Sequence, residues 1–373
     1  MNFELSENQA LLKDGVERFM ADRYAFESRQ KRLAAMGGSD RGMWAEFAAM
    51  GWSALLVPEE QGGLGWGIED VAIVLQEFGK GMVAEPYVDI AIVAVRLLTG
   101  AGTAPAASAL ADIASGETLV VPALLEAGGR YDYFTPRTIL KRQGDNFVLS
   151  GSKILVGAGD VADHLIVSAM LDGALALLLV PTSTQGVSRN SYRLLDGSWA
   201  TDVGIDQATV SEDWLLASSE AASAILDRAL DDAALGIGAQ AIGGMDRILD
   251  ITNEYLHTRK QFGQPLAAFQ ALQHRMADLF IETEMARSAL YSAFSASGGS
   301  DACRRTSVSA ARVRIDNAGL KVGNMGIHLH GGMGMTMEYP VGHHYRRLVQ
   351  LARSYGDTDY HLERYESLTT EAA

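Results

Sequence analysis

The chain has 373 residues, 48% of them apolar, which is enough material for a large core divided between two or three packed units. Its 31 basic residues stand against 46 acidic ones, a net charge of −15, which excludes a general electrostatic grip on nucleic acid or an anionic membrane. Cys303 is the one cysteine, so an intrachain disulfide and a cysteine-cluster metal site are excluded, and a buried spectator thiol in a reducing compartment is expected.

Met1 to Leu12 carries Glu4 and Glu7 and no apolar run ahead of a small-residue cleavage site. It is therefore expected to be neither a secretory nor a transit peptide, and with no bilayer-length apolar stretch the protein is expected in the cytoplasm. Ser6 and Gln9 have capping-box spacing, and Leu11, Leu12, Val16, Phe19 and Met20 then recur at helical intervals. A second helix should hold Trp44, Phe47 and Met50 and end near Gly51. Val57 to Gly65 reads as a loop through Pro58 and its glycines, and helix resumes from Ile68 to Phe78 and on through Ala-rich sequence to about Ala114.

Near Gly116 the pattern changes to short β-rich runs: Thr118–Leu125, Asn146–Leu149, Lys153–Val156, His164–Ala169 and Ala174–Val180. From about Ser219 the helical period returns, interrupted by the loop Ser295–Asp301 and by Gly331, Gly332 and Gly334. The expected fold class is α+β, with helical residues 1–116, a compact antiparallel, barrel-like β domain over 117–218, and a helical bundle over 219–373. Gly236, Gly238, Ala239, Gly243 and Gly244 either widen a ligand cavity or let two helices approach closely.

Three stretches carry a family resemblance: Val57-Pro58-Glu59-Glu60-Gln61-Gly62-Gly63-Leu64-Gly65, then Thr258-Arg259-Lys260-Gln261-Phe262-Gly263-Gln264-Pro265-Leu266 running on to His274, then His328-Leu329-His330-Gly331-Gly332-Met333-Gly334-Met335-Thr336. Together they resemble the acyl-CoA dehydrogenase family along nearly the whole chain. Val148 to Ile154 and Ala162 to Val167 are also similar to its middle-domain strands, whereas Ala123 to Gly129 runs on into Arg130 and Tyr131 where the family has Gly-Ser-Asp. The resemblance implies FAD as cofactor, with the corner at Arg259 reaching a neighbouring subunit's flavin. It assigns FAD roles to Arg259, Gln261, Phe262, Leu266 and Gln270, to His328 where the family has glutamine, to Gly331 and Gly332, and to Thr358. A guanidinium suits phosphate oxygens because its planar donors bind two at once, and glycines admit backbone N–H groups close to a ligand. No metal site is expected, and His343 and His344 are expected at the surface or in a subunit contact.

The family's reaction removes a proton beside the thioester carbonyl while the next carbon gives up hydride, and it needs a carboxylate base with a raised pKa. The family places that glutamate at one of two points, which here read Gly356, followed by Asp357, and Ala233, preceded by Asp231 and Asp232. The base is thus unassigned, with Asp232 and Asp357 as the candidates. This departure is itself similar to the small subunit of pimeloyl-CoA-type and two-gene steroid dehydrogenases, in which the larger chain of a heterotetramer supplies the base. The implied function is a CH–CH oxidoreductase subunit acting on an acyl-CoA thioester in lipid or steroid degradation, with electron-transfer flavoprotein as acceptor. The alternatives are a catalytically silent structural subunit, a homotetramer using Asp232, and a flavin monooxygenase on the same scaffold.

Overall fold

A computed structural model describes residues 4–371, so residues 1–3 of the amino-terminal stretch fall outside it. The chain forms two compact units. Among the described residues one comprises 4–32, 68–83 and 234–371, the other 33–67 and 84–233.

In the first unit α1 (Glu7–Arg23) opens on the capping box, with Ser6 accepting from Gln9 N and the Gln9 side chain accepting from Ser6 N. It packs on α4 (Ile68–Gly81), where Gln9 Nε2 donates to Asp70 at 2.7 Å. α2 (Phe26–Ala35) follows α1 and was not expected, because its run Glu-Ser-Arg-Gln-Lys-Arg carries too few apolar residues to show a period. The long helix α7 (Ser219–Thr258) contributes its second half here, with α8 (Gln270–Ala296), α9 (Asp301–His330), α10 (Pro340–Leu351) and α11 (Thr358–Glu371). A Cβ on Gly243 would overlap the carbonyl oxygen of Gln76, and one on Gly79 the carbonyl oxygen of Gln240. These glycines let the backbones of α4 and α7 touch. Gly238 and Gly244 likewise face Ile315 and Leu348, so helix packing occupies these small residues.

The second unit holds α3 (Arg41–Ala49), a π-helical turn at Val88–Ala94 leading into α5 (Val95–Ala101), α6 (Ala104–Ser115), the first part of α7, and a sheet. Trp44, Phe47, Trp52 and Tyr87 form an aromatic core, in which the Tyr87 hydroxyl donates to Trp52 O at 2.6 Å.

The sheet has eight strands: β1 (Val120–Ala123), β2 (Ile139–Gln143), β3 (Asn146–Gly157), β4 (His164–Leu171), β5 (Ala174–Pro181), β6 (Val187–Arg193), β7 (Trp199–Ser211) and β8 (Leu215–Ser218). Their order is β6-β7-β3-β2-β4-β5-β8. The pairing is mostly antiparallel, but β1 and β2 lie end to end along β4 and run parallel to it. The two runs expected within 146–156 form one strand, bent where its register with β7 shifts at Leu149/Gly151 and Lys153/Val156.

Two expectations on burial are corrected. Cys303 is exposed, because it lies in the first turn of α9, just past the Ser300 cap. His343 and His344 are buried, because Val341, His344, Leu348 and Leu351 share the inward stripe of α10.

Candidate functional site

The last turn of α7 ends at an exposed corner. The Arg259 amide donates to Tyr255 O at 2.8 Å, and the Leu266 amide returns to Arg259 O at 2.9 Å. Between them β9 (Lys260–Gln261) pairs with β10 (Gln264–Pro265), and the connecting Phe262 and Gly263 have φ of 53° and 82°. Two left-handed residues in succession make a type I′ hairpin turn, a conformation in which a non-glycine residue costs about 1–2 kcal/mol. That tip holds the Phe262 ring 92% exposed, with an edge-on neighbour in Phe269 at 6.1 Å. Arg259 is also exposed, and among the described residues its guanidinium has no hydrogen bond or ion pair. Gln261 donates to Lys260 O at 2.7 Å, Leu266 is half-buried, and Gln270 is the exposed first residue of α8.

The glycine turn lies beside this corner. α9 ends at His330, Gly331 has a φ of 57°, and a Cβ on Gly331 or Gly332 would meet no atom within 4 Å. A Cβ on Gly334, by contrast, would stand 2.6 Å from the Ile327 carbonyl oxygen, so this glycine lets the loop fold back while the first two face open space. An aromatic cluster that sequence reasoning missed ties the two features together. The Tyr255 hydroxyl donates to His330 O at 3.3 Å, its ring lies 4.4 Å from the His330 ring, and Tyr339 closes the group at 4.9 Å from His330. Tyr255 is one helical turn before Arg259, and that spacing was the available signal. Burial pulls the His330 pKa down, which keeps the ring neutral, while His328 is exposed.

Gly356, Asp357 and Thr358 form a separate group. Arg312 of α9 donates to Leu351 O and Ser354 O at 3.3 Å and to Gly356 O at 3.2 Å, and pairs with Asp316 at 3.2 Å. Arg312 lies 18 residues before His330, or about 27 Å at 1.5 Å per helical residue. The structure therefore brings Arg259, Phe262, Gly331 and Gly332 to one end of the bundle, and Thr358 elsewhere. Asp357 caps α11, its carboxylate accepting from Tyr360 N at 2.9 Å. Gly356 has a φ of 104°, and a Cβ there would overlap Tyr360 Cδ1 and stand 2.7 Å from His361 Nε2.

In the second unit, Asp232 is fully buried with Oδ2 2.7 Å from Arg96 Nε and Oδ1 3.4 Å from Arg228 Nε. Its carboxylate is held in an ion pair, unlike a base standing alone in a dry pocket. Glu126 Oε1 accepts from Thr138 Oγ1 at 2.6 Å and from Lys153 Nζ at 2.7 Å, and Oε2 accepts from Arg137 N at 2.6 Å. These bonds pin the segment between β1 and β2.

An unpaired guanidinium, an uncovered ring and two glycines with empty Cβ positions fit the phosphate-bearing flavin that the sequence resemblance implies. The chain matches the family model for the acyl-CoA dehydrogenase N-terminal domain over residues 6–117 and that for the acyl-CoA dehydrogenase C-terminal domain over residues 223–365. It is 28% identical over 375 residues to acyl-CoA dehydrogenase IpdE2 of Mycobacterium tuberculosis, covering 98% of both chains. It is 27% identical over 361 residues to the short-chain specific acyl-CoA dehydrogenase of Clostridium acetobutylicum, covering 91% of this chain and 92% of that one. Among solved structures it is similar to a variant of the Tcur3481-Tcur3483 steroid ACAD, with a TM-score of 0.88, 28% identity and 98% of both chains covered.

Proposed function

The chain belongs to the acyl-CoA dehydrogenase family, FAD-dependent oxidoreductases acting on the CH–CH bond of acyl-CoA, and from that premise we propose that it works as one subunit of a heteromeric dehydrogenase whose base comes from a larger partner chain. The observation that carries this reading is Gly356, a position with neither a carboxylate nor room for a Cβ, in a chain whose flavin corner is exposed.

FAD, when bound, supplies the hydride acceptor. The side chains here bind and shield. Arg259 offers planar donors to phosphate oxygens, Gly331 and Gly332 let backbone N–H groups come close, and the Phe262 ring excludes water from the charged contact. The two candidate carboxylates have structural partners, Arg96 for Asp232 and the Tyr360 amide of α11 for Asp357. Exposed Phe280, Ile281 and Met285 on α8 offer an apolar stripe to a second chain. The relative named as a steroid ACAD carries two chain names, which supports both a two-chain assembly and a lipid or steroid substrate class. Electron-transfer flavoprotein is the proposed acceptor.

Arg259→Gln in the co-purified complex tests this role. A charge-assisted hydrogen bond is worth about 1.5–3 kcal/mol, so FAD affinity should fall roughly 10- to 100-fold, read by flavin retention on dilution. Unchanged retention would remove Arg259 from the flavin site.

A further inference from the structure

A cavity of about 290 Å³ opens in the first unit between the end of α1, the start of α2, the end of α4, the middle of α7 and the start of α10. Met20, Phe26 and Pro340 give it an apolar wall, and Arg247, Asp250, Lys80 and His344 give it polar groups. Lys80 is already balanced, since its Nζ donates to Glu77 at 2.7 Å. Arg247 is exposed, and among the described residues it has no hydrogen bond or ion pair. His344 is only 2% exposed, and its Nδ1 is sealed from solvent with no partner among the described residues. Burial, with Arg247 and the buried Arg29 nearby, pulls the His344 pKa down to about 3, so the ring is neutral and one of its nitrogens carries a hydrogen.

We propose that this cavity is a binding site for a small organic monocarboxylate, whose apolar body lies against Met20, Phe26 and Pro340 and whose carboxylate is held by Arg247. A guanidinium matches a carboxylate in shape as well as charge, and the neutral His344 ring adds no competing charge to the wall. Asp250 in the same wall repels a second negative charge, which favours a carboxylate over a phosphate dianion. The volume lies at the lower edge of the roughly 300–1,000 Å³ usual for ligand sites, which excludes a nucleotide or an intact CoA thioester. The site shares no residue with the Arg259 corner and stands independently of the flavin assignment.

Isothermal titration calorimetry of the full chain as purified, with hexanoate, hexanamide and inorganic phosphate, tests it. Hexanoate should bind saturably, and the other two at least about tenfold more weakly. Arg247→Gln should weaken hexanoate about tenfold or more, and Arg259→Gln should leave it unchanged. Arg247 is exposed and unpaired, so its loss spares the fold, and Ala21→Trp, at an exposed helix position lining the cavity, should block hexanoate by filling the space. Absent saturation, equal binding of the amide, tighter binding of phosphate than of hexanoate, or hexanoate affinity untouched by both cavity variants would overturn the proposal.

Discussion

With φ at 104°, Gly356 holds a conformation that side chains rarely adopt, and its neighbours Tyr360 and His361 fill the space a Cβ would need. A glutamate introduced at this position is therefore not expected to act as a base. Gly356→Glu should destabilise the chain by about 1–3 kcal/mol in urea denaturation and bring no thioester-dependent flavin bleaching; bleaching by a stable variant would refute the closed slot. Asp232 is likewise already held by its surroundings. Arg96, 24% exposed, keeps part of its hydration, so Asp232→Asn should cost less than the roughly 3–5 kcal/mol of a fully buried broken pair, about 1–3 kcal/mol. Turnover by the folded complex should be unchanged, and a large fall in kcat at unchanged stability would return Asp232 to the list of bases.

At the scale of elements, the segment joining β1 to β2 is held by Glu126 and the wholly buried Lys153. Burial depresses the Lys153 pKa from 10.5 to about 8, even with Glu126 in contact. Between about pH 8 and 10.5 the folded state then binds fewer protons than the unfolded one, so this group's contribution to stability is full above the unfolded pKa and is lost as pH falls through 8. Denaturation midpoints should rise from pH 8 to 10 in the native chain, and Lys153→Met should remove that rise; an identical profile in both would show that Lys153 titrates normally. Elements with strong local signals were legible in the sequence, as with the Ser6 cap of α1 and the apolar runs of β4 and β5. β6, with Ser188, Arg189 and Asn190 exposed, and the polar α2 were not, because their structure comes from pairing and packing that no local pattern records. The same limit applies to His344, whose inward direction depends on the α10 stripe as a whole.

At the scale of the molecule, the order of helices, sheet and helices could be read from the change in period near residues 116 and 218. The grouping could not. α1 and α4 join the carboxyl-terminal helices through close contacts such as Gly79 on α7, and such long-range contacts leave no trace in a local window. The Arg259 corner and the Gly331 turn were visible as motifs, while the Tyr255–His330–Tyr339 cluster that joins them emerged only once their helices were side by side. The corner is uncovered and a Cβ at Gly356 has no room, and these are the observations behind the proposed partner chain.

The most direct test of that claim is to purify the chain alone and with a co-expressed larger dehydrogenase subunit, and to measure bound FAD and its anaerobic bleaching by acyl-CoA thioesters. Little FAD and no bleaching are expected for the chain alone, with both restored in the complex. Stoichiometric FAD bleached by a thioester in the isolated chain would contradict it.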